Sequence, residues 1–395
     1  MNMNLIGEKL WSTCAKQRND ILGVILIALL MFLPLSTRGN LIRFTVTAVL
    51  FGILLTNKTI KIKMPVMKLL IAMFLSIVIP AITVFFVEKN IDINTWLHEV
   101  QRIIFYVLLI LIVLNYKITF KHVYIICILV LIFHTTVQTL QWMGFEWVND
   151  LIRQYYLQPG DSGIHLMLAS PENAGLDFRS GSIYMNPNVY MVIPATILCV
   201  ILQANILKFS LINYIWIIMA LFSLLLTGSR TTFFVAAAVV GIYVLVDKNT
   251  KKAKWIILVG LAIAVLFFGD YFKEQFRVFQ LSEGMESSLE VKLDGFKSYL
   301  QNAPVIYFLT GSLSSSLQVH IDSEWGYIYS YFGVLGIYWY ICFLRLMSRN
   351  KEILPFQVLS STIVICLIAI SATVVLCMPV FTFFCLISLV KIEFK

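Results

Sequence analysis

The sequence predicts an all-α, polytopic transmembrane helical bundle of about twelve spans, with both termini cytoplasmic. Three observations carry that expectation. Apolar residues fall in long uncharged runs, whereas the strands of a membrane barrel alternate in short segments. Hydrophobic residues make up 59% of the chain and charged ones only 13%, with mean hydropathy +0.87, which excludes a soluble enzyme, a secreted disulfide scaffold and a disordered chain. Finally, basic residues are shared unevenly between alternate connections, as the positive-inside rule requires.

Taken in order, the elements begin with a polar segment, 1–20, bearing Lys9, Lys16 and Arg18 and no small-residue cleavage site. It reads as a retained cytoplasmic tail. Apolar runs follow at 21–36, 41–56, 69–87, 103–116, 123–143, 188–207, 209–227, 231–247, 255–269 and 325–344. The last run, 353–390, would be roughly 57 Å long as one helix, so it crosses a ~30 Å core twice and turns near 371–375.

Threading these runs with the N-terminus inside places most lysines in the cytoplasm, including Lys58, Lys61, Lys63, Lys117, Lys121, Lys208, Lys248, Lys391 and Lys395. Most carboxylates fall on the other side. The net charge of +9 is therefore a matter of topology and does not point to nucleic acid. The seven cysteines show neither a disulfide framework nor zinc spacing and read as small apolar packers. The whole chain, 1–395, reads as one integral membrane domain.

The outer basic residues are mostly arginine: Arg38, Arg43, Arg102, Arg153, Arg179, Arg230 and Arg277. Lysine is the usual inner anchor, whereas arginine suits bidentate contacts to phosphate or carboxylate. Most of these arginines are expected to pair with outer carboxylates. Two outer loops, 144–187 and 270–322, are too long for connectors and too small for domains. In the first, Trp147, Leu151, Ile152, Tyr155 and Tyr156 share a helical face that Pro159-Gly160 ends. In the second, a capping box from Ser287 to Glu290 precedes Leu289, Leu293, Phe296 and Leu300 on one face. Both helices are expected to lie over the outer mouth of the bundle.

Three motifs at that mouth carry candidate chemistry. Arg179-Ser180-Gly181-Ser182 leads to Asn186-Pro187-Asn188, where Asn186 suits an N-cap and Pro187 a first helical residue. A helix N-terminus beside an arginine suits a phosphate; a capped helix with a surface arginine explains the same residues. Thr227-Gly228-Ser229-Arg230 is a tight outer turn, with Arg230 either an anion ligand or a snorkelling anchor. His320-Ile321-Asp322-Ser323-Glu324-Trp325 enters a further span, in which Gly333 and Gly336 permit close helix packing. His320 can act as a general base or donate to phosphate.

Arg277 can reach the same mouth or pair with Glu274 or Glu283. His134, with Thr135, Thr136 and Gln138, reads as an interhelical hydrogen-bonding cluster, while His98 and His165 carry no motif. No metal site and no cofactor are expected. The span interiors hold no Asp, Glu, Lys or Arg, whereas coupled transporters generally need such residues near the midplane.

Together, Arg179 ahead of Met185-Asn186-Pro187-Asn188, the Gly228-Ser229-Arg230 turn, His320-x-Asp322-Ser323 and Gly333-x-x-Gly336 resemble the O-antigen polymerase (Wzy-type) and O-antigen ligase group of membrane glycosyltransferases. The likeness in topology covers nearly the whole chain, and the motifs about thirty residues. The chain departs from the family pattern at Lys292, where arginine is common, and at Ser323, where asparagine is.

The resemblance implies an active site on the periplasmic side of the bacterial inner membrane and metal-independent chemistry. The donor would be a glycan on undecaprenyl pyrophosphate and the acceptor a sugar hydroxyl of another lipid-linked repeat unit. Arg179, Arg230, Arg277, Asn186 and Asn188 would hold the pyrophosphate. His320 or Asp322 would deprotonate or orient the acceptor hydroxyl, with Arg179 also serving the chemistry. Expected partners are the lipid-linked oligosaccharide, membrane lipid and a chain-length regulator protein. A ligase acting on lipid A–core, and a lipid-linked oligosaccharide flippase, are the alternatives.

Overall fold

A computed structural model describes residues 30–33, 37–57, 60, 62–115, 117–156, 179–184, 187–208, 210–228, 236, 239–241, 243, 294–313, 315, 324–348, 377–388 and 391–393. These are overwhelmingly helical. The helices are α1 (Thr37–Asn57), α2 (Met64–Glu88), α3 (Ile93–Asn115), α4 (Phe120–Trp142), α5 (Glu146–Tyr155), α6 (Pro187–Tyr190), α7 (Val192–Leu207), α8 (Leu211–Leu226), α9 (Val305–Thr310), α10 (Glu324–Ser348) and α11 (Met378–Ser388). Four of them, α2, α3, α4 and α10, are long and apolar enough to cross a membrane; α1, α7 and α8 are shorter apolar helices. The apolar runs at 21–36, 231–247, 255–269 and 353–390 lie wholly or largely outside the described residues.

Short connections make α2, α3 and α4 successively antiparallel. The bundle therefore has two ends. At one, strand β1 (Lys117–Thr119) pairs in parallel with β2 (Lys391–Glu393), Lys117 opposite Lys391. This small pair is absent from the sequence expectation, since three residues give no readable alternation. It puts the link between α3 and α4 beside the segment after α11. Lys63 and Lys208 share this lysine end. Every described Asp and Glu except Glu393 lies at or near the opposite, acidic end.

Two packing groups are joined in the middle. On one side α4, α7 and α8 pack together; on the other, α10 lies along α2, with α9 against both. Helix α3 contacts α1, α2 and α11, and α11 in turn touches α7, which links the two groups. The core residues of α7 are buried almost without a break, from Val192 through Leu202, so this helix is enclosed by protein. In contrast α2 exposes Ile71, Phe74, Ile82, Phe85 and Phe86, an apolar face fit for lipid. The described cysteines are free thiols, and Cys127, Cys199 and Cys385 are buried among apolar side chains, as expected for packers.

Helix α10 contains the main irregularity. Gly333 adopts φ 60°, ψ −152°, so the helix is kinked there. The carbonyls released by the kink are not left bare. Ser330 O accepts from the N–H of Ser312 at 2.8 Å and Tyr331 O from that of Leu313 at 3.0 Å. Gly311, itself at φ 87°, lies directly against Gly333. The expectation that Gly333 allows close helix packing is thus sharpened: the close approach is to the loop after α9, and it depends on a break in the helix.

The amphipathic loop helices need correction. Helix α5 exists, but it buries Val148, Asn149 and Ile152, while Trp147, Leu151 and Tyr155 are exposed. Asn149 faces inward because Gln141 Nε2 donates to its Oδ1 at 2.9 Å, a pairing across a tight turn that outweighs the apolar count. In the second loop residues 294–302 are helical, and Tyr299 is the buried side chain, with Leu300 exposed. The capping box at 287–290 and Leu293 lie outside the described residues.

Candidate functional site

At the acidic end the segment 179–184 is fixed between α4 and α8. Ser180 uses all its polar groups: its N–H donates to Leu226 O at 2.9 Å, its carbonyl accepts from Gln138 Nε2 at 3.1 Å, and its hydroxyl donates to Gln141 Oε1. The same hydroxyl oxygen accepts the N–H of Ser182 at 3.0 Å. Ser182 is left-handed at φ 55°, a conformation that costs a non-glycine residue about 1 kcal/mol. Its Oγ meets His134 Nδ1 at 2.8 Å, so side-chain bonds on both sides hold the turn.

Gln138 is the hub of this corner. It also donates to Ser223 O at 3.3 Å and accepts from Ser223 Oγ at 2.6 Å. Since that hydroxyl proton is spent, Tyr190, whose Oη lies 2.8 Å from Ser223 Oγ, is the donor to it. The expected interhelical cluster is present in part: His134 and Gln138 bond across elements, whereas Thr136 donates to Ile132 O within α4 and Thr135 Oγ1 has no partner among the described residues.

This network brings two of the sequence motifs together. Arg179, partly buried, precedes the residue bonded to the last turn of α8. That turn runs on through Thr227 into Gly228, left-handed at φ 58°, as the tight-turn expectation requires. Helix α6 begins at Pro187, also as expected, and Asn188 lies in its single turn. Asn186, Arg230, Arg277, His320 and Asp322 lie outside the described residues. Glu324, two residues beyond Asp322, is the first residue of α10 and is fully buried.

The outer arginines divide. Arg153 pairs with Asp150 at 3.0 Å on an exposed face, and Arg102 with Glu99 at 3.0 Å. Arg43 behaves otherwise. It is fully buried and donates to the carbonyls of Leu30 (3.1 Å) and Leu33 and to Asn40 Oδ1 (2.9 Å). The neighbouring carbonyls of Met31 and Phe32 accept from Tyr184 Oη and Tyr156 Oη. Four successive carbonyls, 30–33, are thus captured by side chains from three elements. Burial pushes the Tyr156 and Tyr184 hydroxyls up, so both remain donors.

A second polar centre sits nearby, and the sequence reading missed it. Glu99, 2% exposed, holds Arg102, accepts from Tyr327 Oη at 3.3 Å and lies 3.4 Å from His98 Nδ1. Tyr340 donates to the buried Glu324 at 3.3 Å. Cys377 lies within electrostatic reach of Arg43, Arg102 and Glu324. The expectation of charge-free span interiors is therefore corrected. Helix α3 starts at Ile93, ten residues before its apolar run, and carries Glu99 and Arg102 into the protein. The spacing of Trp96, Glu99, Arg102 and Tyr106 on one helical face was the available signal.

No protein-family model matches this chain, and no curated protein matches it either.

Proposed function

We propose that this chain is a polysaccharide repeat-unit polymerase of the bacterial inner membrane, transferring a glycan from undecaprenyl pyrophosphate to a hydroxyl of another lipid-linked repeat unit. In this reading the bundle has about twelve spans, the lysine end faces the cytoplasm and the acidic end the periplasm. O-antigen is the expected polymer.

The observation that carries the reading is the anchoring of Ser180 to Leu226. It brings the backbone beside Arg179 against the last turn of α8, which leads into Gly228-Ser229-Arg230, and this supports a shared site for a pyrophosphate leaving group. Developing charge on that group is best met by fixed donors, and the 179–184 turn is fixed by side-chain bonds on both flanks. Arg230 and Arg277 complete the cation set, and Asn186 and Asn188 supply the helix N-terminus. His320, or Asp322, takes the acceptor proton, its segment leading into α10 at the same end of the bundle.

A flippase for the same lipid-linked unit is favoured by one observation, the burial of Arg43, Glu99 and Glu324 inside helices. A surface-glycan gel of a deletion strain separates the readings. A ladder collapsed to core plus one repeat unit supports the polymerase. Accumulated lipid-linked polymer with no core-attached repeats indicates the ligase, and single units trapped on the inner leaflet the flippase. In the complemented strain, Arg179→Ala should abolish long chains at normal protein level. A normal ladder would remove Arg179 from the site.

A further inference from the structure

The Glu99 centre has a composition unlike that of the arginine site. Its charges cancel within it, because Arg102 is bonded to both carboxylate oxygens, at 3.0 and 3.1 Å. A guanidinium so neutralised is a poor phosphate ligand but still offers planar donors. Glu99 is buried, and the groups it holds are more exposed than it is: Arg102 is 13% and His98 54% exposed, and Tyr327 is half-buried. One internal carboxylate therefore fixes three polar groups from two helices.

The walls are aromatic. Tyr327 and Tyr331 stack with ring centres 4.1 Å apart and planes 11° from parallel. Trp96, one turn before Glu99 on the same face of α3, has a buried indole N–H with no hydrogen-bond partner among the described residues. A donor of that kind is costly unless something accepts from it. Flat apolar faces beside convergent, charge-balanced donors fit a sugar ring, which presents a C–H face and a rim of hydroxyls.

We propose that Trp96, His98, Arg102, Tyr327 and Tyr331, positioned by Glu99, form a carbohydrate subsite that binds the uncharged acceptor sugar, separate from the pyrophosphate-binding arginines. Sugar hydroxyl oxygens accept from Arg102 and the Trp96 indole, and a sugar hydroxyl donates to Tyr327 Oη, whose own proton goes to Glu99. Glu99 does not touch the sugar. It is a positioning residue, and its removal releases all three neighbours at once. The inference rests on the glycan-transfer reading for the word acceptor, but the binding itself does not.

The test uses the full chain in lipid nanodiscs and the free repeat-unit oligosaccharide, released from the strain's own surface polysaccharide and lacking lipid and pyrophosphate. Saturable binding, read by intrinsic tryptophan fluorescence and by calorimetry, is expected for the unaltered protein. Tyr327→Phe should weaken it about tenfold while leaving the fold intact. Trp96→Phe should weaken it similarly, with loss of part of the fluorescence change. Glu99→Gln should weaken it most, and Arg153→Ala not at all. Absence of binding, or equal binding by Tyr327→Phe and Trp96→Phe, overturns the subsite. The deletion-strain ladder decides the functional reading independently: a collapsed ladder without oligosaccharide binding leaves the polymerase and removes the subsite, and the reverse pattern leaves the subsite and removes the polymerase.

Discussion

Where α9 and α10 meet, two backbones touch because side chains are missing; where α4 meets α8, the gap is filled by polar side chains that satisfy one another. At the first place Gly311 and Gly333 stand face to face, and the carbonyls freed by the kink at Gly333 are taken by the N–H groups of Ser312 and Leu313. At the second, Gln138 and Gln141 serve Ser180, Ser223 and Asn149 through amide groups on adjacent turns. Both solve one problem, irregular backbone buried where water cannot complete the hydrogen bonds. The glycine clasp solves it by sterics and is all-or-none. The glutamine corner distributes the task over several bonds and should fail by degrees.

The clasp is the place to break first. A Cβ on Gly333 would lie 2.6 Å from Gly311 N, and one on Gly311 would lie 2.7 Å from Gly333 N, backbone atoms that cannot turn aside. Both residues also have positive φ. Gly333→Ala or Gly311→Ala should each cost more than about 3 kcal/mol, through strain and overlap together. The measurement is the melting temperature in detergent and the amount of monodisperse protein. Near-normal melting of either variant would show that the two segments can separate without loss.

The glutamine corner should give a smaller, graded effect that also reaches function. Gln138→Leu fills the same space and removes the bonds to Ser180 and Ser223, costing about 2 kcal/mol. Because Ser180 is then held by fewer bonds, Arg179 loses its fixed place. Long-chain glycan should therefore fall more steeply than protein level does. If glycan and protein fall in proportion, the corner serves stability alone.

These regions also differ in how far the sequence discloses them. The membrane class follows from run length and charge, because lipid imposes both on any helical span. His134, Thr135, Thr136 and Gln138 announce a polar cluster, since they sit close together in an apolar run. The partners in that cluster do not show, because Ser180 and Ser223 look like ordinary small residues until the fold brings them within reach. The clasp is less legible still: Gly311 stands in a plain Thr-Gly-Ser sequence, and Gly333 reads equally well as a helix-packing glycine. Glu99 and Arg102 were misplaced for a different reason. Hydropathy marks where a helix is apolar, and α3 continues for ten residues beyond that on polar first turns, of which Glu99 is the buried residue.

Tyr299 gives the mildest test of the clasp. It is buried, and its hydroxyl lies 3.3 Å from Tyr307 O and 3.2 Å from Ser330 O, one of the two carbonyls exposed by the kink. Tyr299→Phe should cost about 1 kcal/mol, since Ser312 still serves that carbonyl. Burial pushes the hydroxyl up to about 12, from an ordinary value near 10 in the unfolded chain. A raised folded value means that the neutral phenol stabilises the fold fully below about pH 10, and that this contribution is lost as pH rises towards 12. The difference in melting temperature between the unaltered protein and Tyr299→Phe should therefore be constant from neutral pH to about 10 and shrink above it. A difference that persists unchanged to pH 12 would mean that the folded phenol titrates like the unfolded one, and that burial beside the clasp does not hold it neutral.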